Sequence, residues 1–476
     1  MKVVEVPKRA MRTEARLGTG VFAAALGVFL VRFLVPRPIS MSDNGDAFRV
    51  LCGAGITWKS RPEPFAHLAF DATAIRCEPT YLLSQSWLAA LARQLDGPGL
   101  NLVVLGLLSS VIAAAAITAL VLGLPYGRRV RLVVAAALLL VVADSAFFGY
   151  FASALGEGTA FLGLLLIAGG LLLTARTGWW SYAGMAVTVV GGVLAVNAKV
   201  QTLTILPLLA VAMLLVRPGR RWLPAVLAVA TLGLATLAAQ DSVEPAKAPD
   251  GTLSAVPGAD SREINMFNTV FLNIVDGKHD TQADLAELGL PPTFAQYAGN
   301  GWWHAHPATM DPQYPSYRDK ISRRNVVDFF AHHPGRTLEV LNRAAGDLLA
   351  ARPGYLGSFD ASAGLPPHAQ EYRVPVVSWL TGLLSPLKLF ALVPLWLLIA
   401  WRIRRTPMGV VLGFLLAVAL SQFVTAALGD GIEGIKHQAV ALFATLLALV
   451  LTIPQFWPSE PRWGTNSSVT GPSLPG

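Results

Sequence analysis

About ten apolar runs, each of a length that can cross a bilayer as a helix, recur at residues 17–35, 99–123, 131–150, 159–175, 181–197, 201–216, 223–240, 385–401, 408–428 and 438–454. Lipid offers no hydrogen bonds to an open backbone, so such runs are expected to be helical. Two polar segments between them are long enough to be structured, residues 36–98 and 241–384. Within the second, Ile264 to Ile274 and Val326 to Ala350 carry helix-like apolar spacing, while Asp311 to Ser316 and Arg352 to Phe359 are rich in turn formers. Asp241 to Asp260 reads as a linker, and residues 457–476 as a disordered tail. The pattern predicts an all-α polytopic membrane protein. Its parts are a short N-terminus (1–16), a transmembrane core (17–240) that includes the first loop (36–98), a large, mostly helical loop (241–384), C-terminal spans (385–456) and the tail.

Composition agrees. Hydrophobic residues make up 54% of the 476 positions and charged ones only 14%, where a soluble domain carries roughly a quarter. Net charge is +8, but arginine is concentrated in the loops Gly127 to Arg131, Arg176, Arg217 to Arg221 and Arg402 to Arg405, which contain no Asp or Glu. The alternate connections around 151–158, 197–201 and 429–437 carry only Lys199 and Lys436 as basic residues. This asymmetry places both termini in the cytoplasm of a plasma-membrane protein and the two long loops outside, and it accounts for the basic charge without nucleic acid as a partner. Lys2, Lys8, Arg9, Arg12 and Arg16 lead into the first run much as in a signal peptide. The run is long and no small-residue cleavage site follows, so it reads as an uncleaved first span. The two cysteines, Cys52 and Cys77, share the first outer loop, where a disulfide is expected rather than a metal site.

Charged groups at the ends of apolar spans are costly unless paired or wet, so their positions suggest function. Asp43 and Asp46 follow the first span, and Asp144 and Glu157 flank the exit of the third. Lys199 and Gln201 lie between the fifth and sixth spans, while Asp430, Glu433, Lys436 and His437 join the ninth to the tenth. All fall on the outer side. Each also has a structural reading: turn or cap residues for the acids, a snorkelling lysine for Lys199, and solvated loop residues for Lys436 and His437. Together they suggest a cleft with a base and a phosphate-binding pole. Trp302, Trp303, Tyr297, Tyr314 and Tyr317 suit either a sugar-stacking platform or the core of the outer segment.

On these residues the chain resembles the GT-C class of polytopic glycosyltransferases. There a large first outer loop bears an essential Asp close to the membrane, matched here by Met41 to Val50, and a second acidic motif, matched by Asp144 through Glu157, lies between the third and fourth helices. The segments Asn44 to Val50, Ala283 to Pro292 and Gly429 to His437 also resemble actinobacterial membrane proteins described as glycan-biosynthesis hexosyltransferases. The resemblance implies sugar transfer from a polyprenyl-phosphate donor to a glycan, glycolipid or protein acceptor of the cell envelope. Asp46, or alternatively Asp43, would be the base; Asp144 and Glu157 would hold the acceptor or a divalent cation (Mg2+ or Mn2+), metal dependence varying within the class. Lys199, Lys436 and His437 would meet the donor phosphate, with Gln201, Asp430 and Glu433 as further candidates.

Two rivals stand beside it. A transporter or flippase places its charges near the midplane on broken helices, often in related halves, and no repeat is visible. An O-antigen-ligase-like or polymerase-like enzyme would lean on Arg318, Arg323, Arg324, His332 and His333 instead.

Overall fold

The computed structural model describes residues 8–56, 62–72, 83–216, 222–241, 261–406 and 408–456. Long α1 (Lys8–Leu34) is followed by α2 (Ala47–Gly53), α3 (Ser84–Asp96), α4 (Leu102–Gly123), α5 (Arg128–Val142), α6 (Glu157–Thr174), α7 (Trp179–Val196), α8 (Ile205–Val216) and α9 (Trp222–Asp241). Next come α10 (Ser261–Thr269), α11 (Thr281–Leu288), α12 (Tyr314–Tyr317), α13 (Arg323–His332) and α14 (Pro334–Ala350). Then follow α15 (Val376–Leu384), α16 (Leu389–Ile403), α17 (Gly409–Gly429), α18 (Gly434–His437) and α19 (Ala439–Thr452). Among the described residues the sheet is a single antiparallel pair, β1 (Ala69–Phe70) and β2 (Leu100–Asn101), with Ala69 opposite Asn101. The expected linker at 241–260 (apart from Asp241), the tail at 457–476, the loop 217–221 and Cys77 lie outside the described residues.

Six helices among the described residues are long and apolar enough to span a membrane: Arg12–Leu34, Leu102–Gly123, Glu157–Thr174, Trp179–Val196, Gly409–Gly429 and Ala439–Phe456. Val376–Leu387 and Leu389–Ile403 make a seventh if they are counted as one span, but the chain bends there by 118°. The multi-pass architecture thus holds, with six or seven full-length spans among the described residues where hydropathy suggested about ten. The runs at 201–216 and 223–240 give shorter helices. The run at 131–150 is cut at Val142: the Asp144 carboxylate accepts the Ala146 amide at 2.9 Å, and a separate 3-10 turn follows at Phe148–Ala152.

α6 is the hub. Its sequence is apolar on every side, so it has no face for water, and all 18 residues are buried among α4, α7, α17 and α19. Glycine permits the close approach to α7. A Cβ at Gly191 would lie 2.7 Å from Leu166 Cβ and 2.8 Å from the Gly163 carbonyl oxygen, and one at Gly184 would lie 2.3 Å from the Thr174 nitrogen. Without a hydrophobic force between helices in lipid, such small-residue contacts supply the packing.

The two ends of the bundle differ. At one, Arg131 from the start of α5 reaches Glu14 of α1 at 2.8 Å, and Arg176 pairs with the same carboxylate at 3.7 Å, so the arginine-rich loops gather around the start of α1. At the other, the chain after α1 is held by the segment between α14 and α15. Ser40 N donates to the Ser358 carbonyl at 3.0 Å, Ser42 N to Gly357 at 2.8 Å, and Ala66 N to Phe359 at 2.9 Å. A buried ion pair, Arg32 with Glu371, pins this strap to α1. Arg32 also donates to the Ala143 carbonyl at 2.9 Å, and the Ser145 hydroxyl to Glu371 at 3.0 Å, so the charges are compensated where a lone one would be expelled. The 261–340 region has a core of its own, built on Phe267, Phe271, Leu285, Phe294, Trp302 and Phe329.

The α6–α7 contact makes a test. Gly191→Leu should overpack the interface and destabilise the protein by about 1–3 kcal/mol. Gly27→Leu, at a position with open space around it, should be neutral. Thermal unfolding of the two variants in detergent compares them; equal midpoints would contradict the packing argument.

Candidate functional site

At the end of the bundle opposite the arginine-rich short loops, four loops converge on one cluster of charges. The first is the turn into α2. Gly45 adopts φ +105°, a conformation that favours glycine, and lets the chain double back so that Asp43 and Asp46 face different ways. Asp43 Oδ1 accepts the amides of Gly45 (2.7 Å) and Ala47 (3.0 Å), capping α2. Asp46 occupies the cap position itself but makes no capping bond. Its carboxylate turns instead to Lys436 at 2.5 Å and to Arg49. The paired aspartates of the motif therefore divide into one that holds the turn and one, a third exposed, that faces the cluster.

The second loop precedes α6. Gly156 and Gly158 flank Glu157, and a Cβ at Gly156 would sit 2.3 Å from the Ala198 carbonyl oxygen. That close approach sets Glu157, in the first turn of α6, 2.6 Å from the Lys199 ammonium. A carboxylate there also suits the positive end of the helix dipole. The third loop supplies Lys199, and the fourth supplies α18. Lys436 is fully buried and lies 2.5 Å from both Asp46 and Glu433. His437 accepts from the Lys199 ammonium at Nδ1 (3.2 Å), so its Nε2 proton faces Asp430 at 3.0 Å, with Glu433 at 3.7 Å. Asn44 closes the ring, donating to both Glu433 oxygens at 2.7 and 2.8 Å.

Burial alone would push Asp46 up, yet the charges of Lys436, Arg49 and Lys199 hold its carboxyl well below the usual range. Burial would likewise lower Lys436, but Asp46, Glu433 and Glu157 raise it well above the ordinary lysine value. The pair is thus a locked ion pair across the neutral range. Tyr355, on the strap, is raised by burial and by Glu433, and stays a neutral phenol beside these groups. Four carboxylates (Asp46, Glu157, Asp430, Glu433) meet three cations (Arg49, Lys199, Lys436), leaving one negative charge over when His437 is neutral.

Asp46, Glu157, Lys199, Asp430, Glu433, Lys436 and His437 are brought together. Gln201 stands beside them, donating to the His437 carbonyl at 3.0 Å and so tying the 3-10 turn before α8 (Val200–Thr204) to α18. Asp144 does not join them. Its Oδ2 accepts the Val377 amide at 2.7 Å, and its carboxylate takes Ser378 and Ala146 as well, so it caps α15. Among the described residues no group of three His, Cys, Asp or Glu side chains is arranged to hold a metal, and Asp46 and Glu157 face ammonium groups instead. These residues do not fit a Mg2+ or Mn2+ site. Cys52 is buried and is not a free thiol, while its expected partner Cys77 lies outside the described residues.

The other candidates sit in the 261–350 region with local partners. Arg318 pairs with Glu263, Arg324 with Asp328 at 3.7 Å, and His333 with Glu287 at 2.7 Å; His332 bonds the Asp328 carbonyl at 2.7 Å, and Arg323 is exposed. Trp302 is core, edge-on to Phe267; Tyr297 bonds Asp311 at 2.9 Å and Tyr314 bonds Glu263 at 3.2 Å. Trp303 is exposed. Asn44, Arg49 and Tyr355 are the members that sequence reading passed over. Asn44 and Arg49 share the Asn-Gly-Asp-Ala-Phe-Arg motif with Asp46 and were within reach; Tyr355 had no signal.

The capping role of Asp144 gives a prediction. Asp144→Asn keeps one acceptor oxygen of two and should cost about 0.5–2 kcal/mol of stability, measured by unfolding in detergent. An unchanged midpoint would remove the cap from the account.

No curated protein matches the chain. Among solved structures, the Archaeoglobus fulgidus oligosaccharyltransferase, tethered to an acceptor peptide containing the NVT sequon, is 15% identical with a TM-score of 0.37. The alignment covers 92% of this chain and 50% of that one, so the chain spans half the length of its structural neighbour. Likeness at that level fixes neither fold nor activity. The family described as the YfdI N-terminal transmembrane domain matches residues 8–457, nearly the whole sequence. With its apolar helices and the cluster at one end of them, the chain belongs to that family of transmembrane domains.

Proposed function

We propose that the protein is a GT-C-like glycosyltransferase, similar to the actinobacterial glycan-biosynthesis hexosyltransferases, that moves a sugar from a polyprenyl-phosphate donor to a glycan, glycolipid or protein acceptor of the envelope. The reaction occurs on the extracytoplasmic face of the plasma membrane, with both termini in the cytoplasm. The observation that carries this reading is the cluster of Asp46, Glu157, Lys199, Lys436 and His437 at the end of the bundle opposite the arginine-rich short loops. A transporter would need such charges near the midplane instead.

Transfer forms a bond between an acceptor oxygen and the anomeric carbon, breaks the bond from that carbon to the phosphate oxygen, and sends the hydroxyl proton to a base. Asp46 is that base. It is the partly open carboxylate of the cluster, and its counter-ions keep it ionised, so it takes the proton late, once bond formation has made the acceptor oxygen acidic. Lys199 is the phosphate ligand. It is partly exposed, whereas Lys436 is sealed between Asp46 and Glu433 and serves to orient them. An arriving phosphate competes with Glu157 for the Lys199 ammonium. Preorganised cations that meet developing charge in this way supply much of a transfer enzyme's rate. Cys52 and Cys77 are bridged, stapling the loop that presents Asp46.

The test uses purified protein with a labelled polyprenyl-phosphate sugar. Wild type should consume the donor. Asp46→Asn and Lys199→Ala should lower turnover by roughly 100-fold or more while still inserting in the membrane, and Lys199→Arg should recover part of it, since charge returns with altered geometry. Full turnover by Lys199→Ala would remove this residue from the phosphate site, and no consumption by wild type would remove the donor class. Mass spectrometry of unreduced protein should find Cys52 and Cys77 peptides linked; free thiols at both would refute the staple.

A further inference from the structure

The helix α15 exposes the side that a water-facing helix would hide. Val376, Trp379, Leu380, Leu383 and Leu387 recur at helical spacing along it and the turn that follows, and are 40% to 62% exposed. Val377 and Thr381, on the opposite side, are buried. The exposed stripe runs on into α16 through Phe390, 89% exposed, and Leu397. A contiguous apolar face of this kind needs a covering.

Its place in the bundle limits what that covering is. α5 starts at the arginine-rich end, and α16 ends there, with Arg402 in its last turn. Each has 15 residues, and so is about 22 Å long at the usual helical rise. Asp144, just past the end of α5, and Leu389, at the start of α16, are thus each one 15-residue helix away from that end. α15 runs between them: its first amides bond Asp144, and its end meets α16 across the 118° bend. Its axis therefore turns away from α16 instead of continuing it.

We propose that α15 lies in the interfacial layer of the bilayer, with its Trp379 and Leu383 face covered by lipid acyl chains. An apolar face that runs on into the exposed apolar stripe of α16 fits such a surface, and a tryptophan on it fits the headgroup boundary. Asp144 then has a defined task, fastening this helix to the core. The inference rests on the membrane-spanning architecture and is independent of the sugar-transfer reading.

The experiment is nitroxide accessibility in phosphatidylcholine vesicles, with labels at Leu383→Cys, Leu397→Cys and Arg324→Cys. Wild-type protein carried through the same labelling sets the background from its own cysteines. The label at 383 should collide with oxygen several-fold more often than with a water-soluble nickel chelate, and should lie shallower than the label at 397. Collision rates matching exposed Arg324 would overturn the proposal in favour of a water-facing helix or a protein partner. A depth equal to that at 397 would overturn it in favour of a re-entrant segment. Trp379→Cys, on the same face, gives an independent reading should the first variant fail to fold, and the same outcomes apply to it.

Discussion

The structure depends on a lysine that has no contact with water. The Lys436 ammonium is completely enclosed and keeps its charge because Asp46 and Glu433 lie 2.5 Å from it. Removing one partner from a buried ion pair typically costs about 3–5 kcal/mol, since the other is left uncompensated. The loop after α1 and the loop before α19 are therefore bound to each other by a buried charge that would otherwise be left uncompensated. The rest of the cluster is built outward from this pair: Asn44 on Glu433, Arg49 on Asp46, and His437, next in sequence to Lys436, against Lys199 and Asp430.

The membrane bundle sets the depth at which these loops meet. Glycines on α6 and α7 bring the two helices into backbone contact, and Gly156 lets the chain before α6 press on Ala198, which places Glu157 against Lys199. The strap between α14 and α15 does comparable work on the other side. Fixed to α1 by the Arg32–Glu371 pair, it carries Tyr355 to the cluster. One set of ion pairs thus forms the site while another, nearby and buried, holds its frame.

Much of this was legible in the sequence, and the limits are physical. Hydrophobic run length located the membrane helices, because lipid leaves the backbone no alternative, but it did not tell full-length helices from short or bent ones. The run at 131–150 hides a break at Asp144, whose carboxylate takes backbone amides, and the run at 385–401 hides the bend at Lys388. Charge at span ends marked Asp46, Glu157, Lys199, Lys436 and His437, since such residues must find partners. Which partner each finds was not legible. Asp43 and Asp46 stand three residues apart in one motif, and only the turn at Gly45 decides that one caps a helix while the other faces a lysine. Arg32 and Glu371 are separated by 339 positions, and no local pattern joins them.

The central claim is that Asp46 and Lys436 act as one unit. A double-mutant cycle in thermal unfolding, with Asp46→Asn, Lys436→Met and the combined variant, measures this directly. The account predicts that the double variant loses less stability than the sum of the singles, with a coupling of about 1 kcal/mol or more, as for residues sharing one buried network. Single effects that add to within about 0.5 kcal/mol, as distant sites do, would contradict it.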